Sequence, residues 1–101
     1  MVVTFAAELW IWAARRDDSW TFVSLPVEVS DDIRTVTGGL RRGFGAVRVH
    51  ASIGDSRWTT SIFPASDQGA YVLPVKKAVR RAEGIEAGDT ATVTVELADP
   101  A

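Results

Sequence analysis

The sequence predicts a mainly β fold, a small barrel of six strands with two short helices capping its ends, on three observations. Apolar and polar residues alternate through most of the chain, the period-two signature of strands that bury one face. Two stretches switch to helical spacing, and both are too short to be stable without something to pack against. The tripeptide Leu-Pro-Val occurs at Leu25-Pro26-Val27 and again at Leu73-Pro74-Val75, each time between a strand-like run and a helix-like one. That recurrence predicts two related halves, and a closed or nearly closed barrel gives each helix an end to cover.

Val3, Phe5, Ala7, Leu9, Ile11 and Ala13 share one side of the alternation, so 2–14 is predicted as one long strand, with Thr4, Glu8, Trp10 and Trp12 on its other face. Arg15-Arg16-Asp17-Asp18-Ser19 is a polar hairpin loop, and Trp20 to Leu25 returns as an antiparallel partner. Pro26 ends the ladder, because it has no N–H to donate. Val29, Ile33 and Val36 then recur at helical spacing. Ser30 is the predicted N-cap, Asp31 and Asp32 suit the positive end of the helix dipole, and Gly38-Gly39 supplies the stop.

A loop over Leu40 to Gly43 leads into a strand from Phe44 to Ile53, with Val47, Val49, Ala51 and Ile53 facing inward. Gly54-Asp55-Ser56 turns the chain into a hairpin partner, Arg57 to Phe63, and Pro64 to Gly69 reads as a second loop. A short strand from Ala70 to Leu73 hands over at Pro74 to a helix with Val75, Ala78, Val79 and Ala82 as its apolar stripe, stopped by Gly84. Gly88-Asp89 turns into the last strand, where Ala91, Val93, Val95 and Leu97 alternate with Thr90, Thr92, Thr94 and Glu96.

The composition is that of an ordinary globular domain: 101 residues, 47% hydrophobic and 24% charged, which predicts one domain over 1–101. The longest apolar stretch, Phe5 to Ala14, is interrupted by Glu8 and is too short for a membrane span, and no basic segment precedes it as a signal peptide requires. A cytoplasmic protein with no membrane association is the expectation. The absence of cysteine leaves packing as the source of stability. A net charge of −2 argues against a nucleic-acid binder that works by bulk charge.

Four runs carry a family resemblance: Trp20 to Pro26, Arg42 to Val49, Thr60 to Pro64 and Tyr71 to Arg80. Through them the chain resembles the bacterial domain-of-unknown-function family numbered 1905, over nearly its whole length. The resemblance implies a double-split β-barrel with pseudo-two-fold halves, the fold of AbrB-like swapped-hairpin regulators, with one chain here matching two chains of a regulator dimer. Leu73-Pro74, Arg80, Gly84-Ile85 and Gly88-Asp89 look like one such half. The first half keeps the Leu-Pro and the helix but has Gly43-Phe44 where Gly-Asp would stand. The resemblance implies no biochemical activity.

Four groups of residues are candidates for function. Lys76, Lys77, Arg80 and Arg81 lie off the apolar stripe of the second helix, whereas the first helix is acidic. They form either a solvated face or a site for phosphate, carboxylate or nucleic acid, assisted by Arg41, Arg42 or Arg48 where the fold brings them near. Arg42-Gly43-Phe44-Gly45 suits either a ligand loop or a bulge at a barrel corner, and lacks the Gly-Lys-Ser/Thr ending of a phosphate-binding loop. The tryptophans Trp10, Trp12, Trp20 and Trp58 either pack as core or line a cleft for a flat or apolar ligand. Thr59, Thr60 and Ser61 are hydroxyls in need of a base, and the single histidine, His50, falls at an outward strand position.

The expectation is therefore a non-catalytic binding or interaction module, monomeric or weakly dimeric, with Arg42, Gly43, Phe44, Gly45, Arg48, Lys76, Lys77 and Arg80 as ligand-binding residues. Its predicted partner is a small anion or an acidic protein, with no cofactor and no metal. The alternative is an AbrB-like DNA-binding regulator, disfavoured by the acidic first helix. An enzyme, the third class, would need Glu8 or Asp89 beside a hydroxyl or lysine in a pocket.

Overall fold

The computed structural model describes residues 1–12, 20–37, 45–65 and 68–98. These form β1 (Val2–Glu8), β2 (Trp10–Ile11), β3 (Thr21–Ser24), α1 (Val27–Thr37), β4 (Val47–Ile53), β5 (Ser56–Ala65), β6 (Ala70–Pro74), α2 (Lys77–Glu83) and β7 (Thr90–Leu97). The fold is mainly β, as the alternation predicts. The seven strands pair antiparallel in the order β1-β7-β4-β5-β6-β3-β2 and curl into a half-barrel. No helix among the described residues is long and apolar enough to cross a membrane.

Seven strands stand where six were expected because the first predicted strand is divided at Leu9. Its N–H donates to the Asp89 carbonyl and its own carbonyl accepts from Gly88, both at 2.9 Å, so the turn before β7 takes the ladder bonds of that residue. Before the break, β1 pairs with β7 and buries Phe5; after it, β2 pairs with β3 and Ile11 is exposed rather than inward. The same run thus serves both ends of the strand order. β5 is shared in a similar way, pairing with β4 as far as Ile62 and with β6 from Phe63 to Ala65. Pro64 and Ala65 are therefore ladder residues and not the start of a loop. Pro64 is accommodated at a point where β5 is changing partners.

The β4–β5 hairpin has a two-residue loop, Gly54-Asp55, between the paired Ile53 and Ser56. Gly54 takes φ +57°, which only glycine adopts without strain, and a Cβ there would run into the Glu83 carboxylate that accepts from Ser56 Oγ at 2.7 Å. The core lies inside the curl. Leu9, Val23, Ile33, Val49, Ile62, Leu73 and Val93 are sealed from solvent there, and most come from the predicted inward positions.

Each Leu-Pro-Val does what its sequence predicts, ending a strand and admitting a helix. The details of both helices differ from the periodicity. α1 begins at Val27, directly after Pro26, so Ser30 is an interior helical residue and not the N-cap. Ser30 is fully buried and its Oγ accepts the Tyr71 N–H at 3.0 Å, bonding the helix to β6. Val36 is exposed. Arg34 reaches the turn before β6, donating to the Gly69 carbonyl at 3.0 Å and lying over the Tyr71 ring. α2 is rotated from its predicted face: Ala78 and Ala82 are exposed, whereas Val79 and Arg80 are buried. Gly84 ends it in the left-handed conformation, as predicted, with the Ile85 N–H returning to the Arg80 carbonyl at 3.0 Å. The predicted loops at 15–19 and 40–43 and the Gly38-Gly39 stop lie outside the described residues.

Candidate functional site

The two outer faces of the curl have opposite chemistry. Across β1, β7, β4 and the first part of β5, the outward cross-strand rows are Thr4–Thr94–Ser52–Arg57 and Val2–Glu96–His50–Thr59. Apart from Val2, these are residues that water solvates well. His50 and Thr59 are both exposed, with His50 Nδ1 at 3.0 Å from Thr59 Oγ1, as expected of an outward histidine. Across β2, β3, β6 and the end of β5, the rows are Phe63–Val72–Ser24 and Pro74–Phe22–Trp10. A sheet whose inner face already holds the core here carries an apolar outer face as well.

That face forms a cleft of about 800 Å³, within the size range of small-molecule sites. Six aromatic residues line it: Trp10, Trp12, Trp20, Phe22, Trp58 and Phe63. The rings pack as a chain, with Trp12 to Trp20 and Trp10 to Phe22 each at 5.2 Å between centroids, and Trp20 to Phe22 at 6.2 Å. The inner part of this wall is shielded, since Phe22 and Val72 are 9% and 7% exposed although they point away from the core. The rim is open: Trp12, Trp20 and Phe63 keep 45%, 38% and 42% of their surface in solvent. Large aromatics grouped in this way are unusual on an exposed surface.

The wall is held by a few polar bonds. Trp10 Nε1 donates to Ser24 Oγ at 3.0 Å, and Ser24 in turn donates to Gln68 Oε1 at 2.6 Å, fixing the plane of the Trp10 ring. The cleft deepens where β5 leaves β6: Trp58 and Thr60 from β5 face Pro74, Val75 and Lys76 across a gap that no ladder bond closes. Trp58 is 8% exposed, and its indole N–H has no hydrogen-bond partner among the described residues.

Among the described residues, the predicted ligand residues are spread over different parts of the fold. Arg42, Gly43 and Phe44 lie outside the described residues. Gly45 has φ +84°, the unusual angle expected of that glycine pair, with Pro64 packed beside it. Arg48 is exposed on β4, opposite Ser61. Lys76 is exposed on the wall of the aromatic cleft, whereas Lys77 shares a separate depression of about 320 Å³ with Arg80, Arg81, Glu86 and Asp89. Arg80 is corrected most clearly. It is 6% exposed and its Nε donates to the Val75 carbonyl at 3.0 Å, so it anchors the helix start instead of joining a basic face.

Asp89 caps a turn, its Oδ2 accepting the Glu86 N–H at 2.9 Å, and Glu8 is exposed. Among the described residues no group of His, Asp or Glu is placed to hold a metal. The residues that build the cleft were visible in the sequence only as tryptophans. Phe22, Phe63, Val72 and Pro74 fall on predicted strands and junctions, and the signal that adds them is the apolar residue at both alternating positions of Trp20 to Leu25 and Tyr71 to Val75.

Residues 5–95 match the family described as Domain of unknown function (DUF1905). No curated protein matches the chain.

Proposed function

Because the chain belongs to the DUF1905 family, whose description names no activity, we propose its function from the cleft: a non-catalytic binding module for a flat, apolar ligand. One observation carries this reading. Six aromatic residues line an 800 Å³ cleft, five of them outside the core cluster and the sixth, Trp58, reaching the cleft from the core. Rings already packed at fixed spacing lose little freedom when a flat molecule stacks on them, so little of the binding energy is spent on ordering the site.

The fold itself we read as a double-split barrel with two-fold halves. Both long runs, 2–11 and 56–65, change partners partway, one at Leu9 and the other after Ile62. The pairs β4–β7 and β3–β6 each join equivalent strands of the two halves. The anion and DNA-binding readings have less support. Arg80 is turned into the fold, and Glu86 and Asp89 share the depression of Lys77 and Arg81.

The test is a titration with N-phenyl-1-naphthylamine, a neutral dye that brightens in apolar sites. Saturable brightening with quenching of tryptophan emission is expected, together with a loss of about tenfold in affinity for the double variant Trp12→Ala, Phe63→Ala. Both residues are exposed, so the melting temperature should hold. Brightening that persists unchanged in the double variant would sink the reading.

A further inference from the structure

Resting on the cleft as the binding site, we infer that its ligand is a flat aromatic acid, held with its ring on the tryptophans and its acid group at Lys76. An aromatic cage by itself is ambiguous. Stacked rings accept neutral aromatics, and their negative faces also attract cations such as quaternary ammonium groups. The polar groups on the wall decide between these.

Lys76 is the one charged residue lining the cleft among the described residues, and it is exposed there. Among the described residues no carboxylate lines the same wall. A cationic ligand would meet the Lys76 ammonium with no described carboxylate to offset it, whereas an acid group meets its complement. The indole N–H of Trp58 has the same sense: it is a donor that cannot accept, shielded from water and without a partner among the described residues. An acceptor brought by the ligand would satisfy a group whose isolation is costly. Trp58 and Lys76 both line the cleft, so the acid end of the ligand is assigned to the part of it where β5 leaves β6, with the ring back over Phe22, Trp20 and Trp10.

Lys76 also stands apart from its basic neighbours. Lys77 shares its depression with Glu86 and Asp89, which already balance the local charge. Lys76 lines the cleft with the aromatic residues, and among the described residues no carboxylate lines it beside Lys76. Its position just before α2 follows from the second Leu-Pro-Val, which leaves the sheet at Pro74 and delivers the next residues to the cleft.

The experiment is a competition against the bound naphthylamine dye by three probes of one ring shape: 2-naphthoate, 2-naphthamide and trimethyl(2-naphthylmethyl)ammonium. The naphthoate is expected to displace the dye at about fivefold lower concentration than the amide, and the cation to be weakest. In Lys76→Gln the naphthoate should fall to the level of the amide, while the amide and the dye keep their wild-type affinity. Arg48→Gln, on another strand, should leave all three unchanged. Equal binding of naphthoate and amide, or tighter binding of the cation, overturns the acid assignment and leaves the cleft standing as the site. Failure of the dye itself to bind removes the cleft reading and this inference with it.

Discussion

The outer surface of one curled sheet is hydroxyl-rich over β1, β7 and β4 and aromatic over β2, β3 and β6, and the contrast lies in what each face does for the fold. On the first, Thr4, Thr94, Ser52 and Arg57 stand across the strands and leave only the inner positions to pack. Thr4 Oγ1 and Thr94 Oγ1 lie 3.0 Å apart, an exposed contact of small worth. On the second, Pro74, Phe22 and Trp10 stand in the same geometry, with the Trp10 and Phe22 rings packed together. A strand in a two-layered fold needs one apolar face. Apolar residues on both sides of β3 and β6 exceed that need, and the excess is the cleft.

Substitutions at matched outward positions should separate the two faces, beginning with the largest effect. Phe22→Ala removes the centre of the aromatic row, and should lower unfolding free energy by about 3–5 kcal/mol in a urea titration. A cost under about 1 kcal/mol would mean that the aromatic face is a loose surface and no packed wall.

Ser30→Ala strikes the same sheet from behind. It leaves the buried Tyr71 N–H without its acceptor, and should cost about 1–3 kcal/mol by the same titration. Hydrogen exchange at Tyr71 should rise in parallel, and an unchanged exchange rate would show that another acceptor takes the bond.

Trp12→Ala separates stability from binding. With nearly half of its surface exposed, the ring should contribute little to unfolding free energy, a change within about 0.5 kcal/mol, while dye affinity falls severalfold. The smallest effect belongs to the polar face: Thr94→Ser should change stability by less than about 0.5 kcal/mol and leave the dye untouched. A dye response to Thr94→Ser would break the division between the faces.

Much of the architecture was legible in the sequence because it rests on local rules. Pro26 lacks the N–H that continues a ladder, so that strand end could be read directly, whereas at Pro74 the ladder runs one residue further, the Val75 N–H donating to the Thr21 carbonyl at 2.9 Å. Gly54 and Gly84 sit where positive φ is required, so one turn and one helix stop could be placed. Elsewhere the periodicity misled for physical reasons. The alternation Phe5, Ala7, Leu9, Ile11 is unbroken in sequence, yet the strand switches partners at Leu9, since the Gly88-Asp89 turn bonds there from 79 residues away in the chain (88 − 9). Ala78 and Ala82 satisfied an apolar stripe, but small side chains bury little area, and the longer Arg80 gains more by running its stem under α2 to the Val75 carbonyl. Ser30 looked like a cap because serine favours caps, and only the nearness of Tyr71 makes it an interior acceptor.

The sequence alone determined the class of the fold, its duplicated plan of strand, Leu-Pro-Val, helix and strand, and its membership of a family, because alternation, proline and glycine act over a few residues at a time. The tertiary structure decided that the chain's tryptophans line one cleft with Phe22, Phe63 and Lys76, and that Arg80 is withdrawn from the surface. Those outcomes depend on which strands become neighbours, and strand pairing joins residues too far apart in sequence for any local pattern to specify.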